Sequence, residues 1–102
     1  KSNFIYVTEF NNHSNDKTYE NTDLNKIITN THINIFAISM SMTLNNNRSH
    51  IVAYVKNNEG MWNERDIKKH GFTPIGKSIQ NVIGYHNNKN RVNRIIIYFT
   101  II

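Results

Sequence analysis

Apolar and polar positions alternate with period two through three long stretches of this chain, and recur with helical spacing in only two short ones. Residues 3–10, NFIYVTEF, set Ile5, Val7 and Glu9 on one side and Phe4, Tyr6, Thr8 and Phe10 on the other, a strand rich in β-branched and aromatic residues. NNHSNDKTYENT then reads as a long polar loop. TDLNKIIT has room for one or two turns of helix capped by Thr22 or Asp23. Residues 33–43, INIFAISMSMT, alternate again, with Phe36, Ile38, Met40 and Met42 facing away from Ile35, Ala37, Ser39 and Ser41. LNNNRS is a turn, and residues 50–57, HIVAYVKN, set Val52 and Tyr54 against Ile51, Ala53 and Val55, so the two segments predict a β-hairpin. NNEG, residues 57–60, turns the chain again into MWNERDI. After Pro74, the spacing of Ile79, Val82 and Ile83 predicts a short helix ended by Gly84, and HNNKNR follows as a polar turn. RIIIYFTII closes the chain as a nearly unbroken apolar run, the pattern of a central strand buried on both faces. The expected architecture is α+β: an antiparallel sheet of four to six strands with one or two short helices.

A chain of 102 residues suits one small domain, or one part of a larger catalytic domain. Neither internal repeats nor a dividing linker interrupts it. The apolar fraction of 38% leaves a modest core. Nineteen asparagines, in runs such as Asn45-Asn46-Asn47, are what an AT-rich coding sequence produces. The net charge of +5 is uneven: residues 1–50 carry four basic and four acidic groups, residues 51–102 eight and three. There is no cysteine, which excludes disulfides, a thiolate nucleophile and cysteine zinc sites within this chain. No run approaches the roughly 18 apolar residues of a membrane span, and KSNFIYVTEF lacks a signal-peptide pattern. Together these features point to a cytoplasmic or nuclear protein without a membrane partner. Opening on Lys1 rather than methionine points to processing or to a piece of a longer chain.

Against that frame the stretch SHIVAYVKNNEGMWNERD, residues 49–66, carries candidate chemistry. A general base needs an imidazole near its nucleophile and a partner that fixes its tautomer and stabilises the imidazolium. With a turn centred near residue 58, His50 and Asp66 become cross-strand neighbours and have the types for base and orienting carboxylate. The spacing alone is not specific, since any hairpin of this length brings its ends together.

The residue types add to the spacing. His50, Ala53, Tyr54, Val55, Gly60, Trp62 and Asp66 fall in register with the histidine box of ubiquitin-specific proteases, the papain-like deubiquitinases, and the stretch resembles that box without a gap. The flanks are similar in outline: INIFAISMSMTLNNNRS for the strand before the histidine, FIYVTEF for an earlier strand, and RIIIYF for the closing one. The resemblance implies that His50 is the general base, Asp66 its orienting carboxylate and Trp62 the packing behind them. It implies ubiquitin or a complementary protease chain as partner, and no cofactor. The chain departs from the pattern at Ser49, usually glycine, at Ile51, usually aromatic, and at Ile67, usually a second aspartate. The cysteine box and the finger strands that hold ubiquitin are also missing, so only about the C-terminal third of such a domain is represented. Two roles follow. The chain contributes its His/Asp pair to a protease whose cysteine lies elsewhere, or it is an inactive remnant, a pseudoenzyme that keeps a binding surface.

The second class of function is a small basic binding protein, of viral or mobile-element type, that engages nucleic acid or an acidic protein. Lys68, Lys69, Lys77, Lys89, Arg91 and Arg94 are its candidate contacts, since a contiguous basic patch attracts phosphates. Trp62, Phe72 and Tyr85 lie near them in sequence, although Trp62 suits the core better than a stacking platform. His13, His32, His70 and His86 share no metal-ligand spacing, and no metal site is expected. Ser49 and His50, as strand neighbours, point to opposite faces and do not form a nucleophile–base pair.

Overall fold

A computed structural model describes residues 4–13, 22–66, 71–76 and 78–102, and the side chains of residues 66–77 lie outside the described set. The elements run β1 (Tyr6–Asn11), α1 (Thr22–Ile28), β2 (Ile33–Thr43), β3 (Ser49–Lys56), β4 (Trp62–Asp66), β5 (Gly71–Gly76), α2 (Ile79–Lys89) and β6 (Arg91–Ile101). The six strands form one sheet in the order β1-β6-β2-β3-β4-β5, and every neighbouring pair is antiparallel. The α+β class and the dominance of antiparallel sheet follow the alternation of the sequence.

One face of the sheet is covered. Ile38, Met40 and Met42 of β2, Val52 and Tyr54 of β3, Trp62 of β4 and Val92, Ile95 and Ile97 of β6 are buried on it. Leu24 of α1 and Ile79, Val82 and Ile83 of α2 belong to the same core cluster, so both helices lie on this side. Within β6, Val92 and Ile95 are three residues apart and would face opposite ways in a regular strand. The β2–β6 register shifts between Ser41 and Met42, leaving Asn93 as the additional residue, and both apolar side chains turn inward. A second shift, between Ile35 and Ala37, does the same for Ile35 and Ile38. The simple alternation expected for β2 therefore fails at its start: Ile35 is buried and Phe36, the bulged residue, only partly so.

Both hairpins along β2–β3–β4 close by one device. Asn47 N donates to Leu44 O (2.9 Å) and Asn47 has φ 65°, while Gly60 N donates to Asn57 O (3.0 Å) and Gly60 has φ 80°. Each is a tight turn followed by a left-handed residue, where glycine and asparagine carry the least strain. The Asn57 side chain braces the second turn, accepting from Glu59 N and Met61 N at 3.0 and 2.9 Å.

The helix after Pro74 is longer than its sequence pattern suggests. Ser78 caps it, accepting from Asn81 N, and it runs through Gly84 to Lys89. His86 extends the buried stripe of Ile79, Val82 and Ile83 by one position at i+7, so residues 86–89 are helix, not a polar turn. β5, which no apolar alternation marked, holds Pro74 at the sheet edge, where a missing N–H costs least. No helix among the described residues is long and apolar enough to cross a membrane.

Candidate functional site

His50 is the second residue of β3 and is exposed. It shares a face with Val52 and Tyr54, the helix-covered side, and stands opposite Met42 of β2. Asn90, the residue capping the end of α2, reaches Met42 through Nδ2···Sδ at 3.5 Å, so His50 emerges beside the end of that helix.

Asp66 ends β4 at the same end of the sheet. The β3–β4 register pairs Lys56 with Trp62, Tyr54 with Glu64 and Ala53 with Arg65. Continued by one residue, it sets Asp66 across from Val52. The Asn57–Met61 closure centres the turn on residue 59 rather than 58, and that one-residue difference moves the aspartate two positions along the partner strand. By that register position 66 stands diagonal to position 50 and not directly opposed to it. The Asp66 side chain itself lies outside the described residues.

Beneath His50 the same face holds a buried polar cluster. The Tyr54 hydroxyl lies 3.1 Å from Glu64 Oε2, its cross-strand partner, and 2.5 Å from His86 Nε2 on α2. Burial, and then the negative charge of Glu64, push the Tyr54 phenol far up, so it stays protonated. Burial pulls the His86 imidazole below its ordinary value of 6.5; Glu64 opposes this, and positive charge on His50 and Lys89 adds to it. His50 is thus close enough to His86 for its charge to be felt there. His86 Nδ1 has no hydrogen-bond partner among the described residues. The Tyr85 ring packs edge-on against His86, with centroids 5.2 Å apart.

An open cleft of about 440 Å³ lies at the other end of the sheet, lined by Ile33, Lys56, Trp62, Ser78 and Ile79 among others. His50 is not among its lining residues. Trp62, 3% exposed, forms part of the core as its aromatic bulk suggested. The Lys56 ammonium at the cleft is held by Asn34 Oδ1 at 2.9 Å. Among the described residues no group of three acidic, histidine or cysteine side chains is placed to hold a metal ion.

Of the basic candidates, Lys68, Lys69 and Lys77 lie outside the described residues. Lys89 sits in the helix layer, its ammonium 3.0 Å from the Tyr85 hydroxyl and over that ring. Arg94 faces the opposite side of the sheet, where it bonds Asn11 Oδ1 at 3.0 Å and meets Glu9 at 3.6 Å. Arg91 Nε donates to Asn93 Oδ1 at 3.0 Å. Lys89 and Arg94 therefore belong to different faces and do not share a patch.

The residues that sequence reasoning missed are Glu64 and His86. The signal for His86 was present: it follows Val82 by four residues, on the stripe of the helix. Gly84, read as a terminator, hid it. Glu64 has a plain strand position, and only the register reveals that it meets Tyr54. Comparison with protein-family models, with curated proteins and with solved structures returns no match.

Proposed function

We propose that this chain is the histidine-bearing part of a unit of the ubiquitin-specific-protease type, and that it meets ubiquitin at the sheet corner formed by His50 and Asp66. The observation that carries the reading is the β3–β4 register, which runs to Ala53 opposite Arg65 and so brings residue 66 to the end of the sheet at which His50 is exposed. The neighbour order adds support: β1, β6 and the β2–β3 hairpin, which carry the outline of the resemblance, are consecutive in the sheet. In this role His50 takes the proton of a thiol as general base and Asp66 orients its ring. The chain contains no cysteine, so the thiol is supplied from outside these 102 residues, or the corner binds without cleaving. Either role belongs to the cytoplasm or nucleus, where ubiquitin acts.

Fluorescence anisotropy of labelled ubiquitin tests this directly. Saturable binding that weakens about tenfold or more in His50→Ala and in Asp66→Ala is the expected result, a change of roughly 1.4 kcal/mol. No saturable binding, or equal binding by both variants, would overturn it. His50 is exposed, and its truncation should leave stability within about 0.5 kcal/mol, so lost binding would not reflect lost fold.

A further inference from the structure

We propose that the buried contact between Tyr54 and His86 is an acid-sensitive latch holding α2 against the sheet. It stands independently of the ubiquitin reading. His86 is 6% exposed, on the inner stripe of α2, and its ring nitrogen meets the hydroxyl of Tyr54 on the buried sheet face. The proton count of the cluster fixes its state. A phenol has one proton to give, and a carboxylate can only accept. Tyr54 therefore donates to Glu64 and accepts from His86 Nε2–H. The ring is left as the neutral Nε2–H tautomer, with a lone pair on a buried Nδ1 that has no partner among the described residues.

Acid reverses this balance. A proton on Nδ1 would place an N–H and a positive charge where no described residue offers an acceptor, a costly state in a buried site. The groups facing the ring come from three elements. Glu64 of β4 favours the charged form. His50 of β3 and Lys89 of α2 itself disfavour it, and Tyr54 and Tyr85 flank the ring without charge. On the sheet face that α2 covers, β6 and β2 bury the apolar Val92, Ile95 and Met42, and the sequence of β5, GFTPIG, has no titratable side chain. The unfolded chain takes up this proton near pH 6.5, the folded chain only at lower pH. In the interval between, the unfolded state holds the additional proton, so stability falls as pH falls. Within it the ratio of folded to unfolded protein drops by up to about tenfold per pH unit. The segment released first is α2, which carries the ring, and its departure uncovers the face beneath His50.

Urea denaturation of the whole chain between pH 5 and pH 7.5 reads the effect. Wild type should lose stability below about pH 6.5 with a component that is missing from His86→Phe, which keeps a ring of similar size and no proton to gain. Identical pH dependence in the two proteins would overturn the latch. Should the variant fail to fold, long-range ¹H–¹⁵N spectra of the wild-type imidazoles decide. A neutral Nε2–H ring for His86 at pH 6.5 supports the latch. An Nδ1–H tautomer, or a ring half-protonated at pH 6.5 or above, would overturn it.

Discussion

Tyr54 is the residue on which the buried polar chemistry turns. Its hydroxyl serves two partners, Glu64 Oε2 and His86 Nε2. Tyr54→Phe keeps the ring and removes the oxygen, which strands the Nε2–H of His86 in addition to its bare Nδ1. A buried polar group left unsatisfied costs about 1–3 kcal/mol, and urea denaturation at neutral pH should show a loss in that range. His50 shows what was legible at this scale. Its place at the start of a strand was readable from the sequence; its exposure was not, because the alternation sets it on the face of the buried Val52 and Tyr54. Nor was the connection to His86, because it runs through space from β3 to a helix that begins almost thirty residues later.

At the scale of elements, two glycines carry opposite predictions. Gly60 has φ +80°, a conformation that costs an L-residue about 1–2 kcal/mol, so Gly60→Ala should destabilise by that order although no atom stands near the added methyl. Gly84 lies inside α2, where glycine costs about 0.5–1 kcal/mol relative to alanine, and a Cβ there would also meet nothing within 4 Å. Gly84→Ala should therefore stabilise by about that amount. Thermal melts of the pair would register the two signs, and a destabilising Gly84→Ala would mean that the helix does not continue past residue 84. Strands and turns were readable because their period and their turn residues are local. The two bulges were not, since Phe36 and Asn93 become the additional residues only when β2 and β6 are paired. The same limit moved Asp66: the hairpin was evident, but its closure at Asn57 and Met61 depends on the left-handed Gly60 and sets a register the spacing alone did not fix.

For the molecule as a whole, a single sheet separates two environments. The helices and the apolar core occupy one side; on the other, Ser39, Ser41, Arg94 and the exposed Ile51 and Val55 face away from them. The last strand, β6, lies inside the sheet between β1 and β2 as the apolar run suggested, but it is not buried on both faces: Val92, Ile95 and Ile97 are buried on the helix side, while Ile96 and Tyr98 on the other are only partly covered and Arg94 is exposed. Of the basic groups among the described residues, Lys89 lies in the helix layer and Arg94 on the opposite side of the sheet. His50 stands exposed on the same sheet face as the buried Tyr54, which meets Glu64 and His86. That corner, closed by the end of β4, is where the account places ubiquitin. The most direct test is a ¹⁵N chemical-shift titration of the protein with unlabelled ubiquitin. The account predicts saturating shifts concentrated at Ser49–Val52 and Arg65–Asp66. No shifts, or shifts confined to the cleft around Lys56 and Ser78 at the opposite end of the sheet, would contradict it.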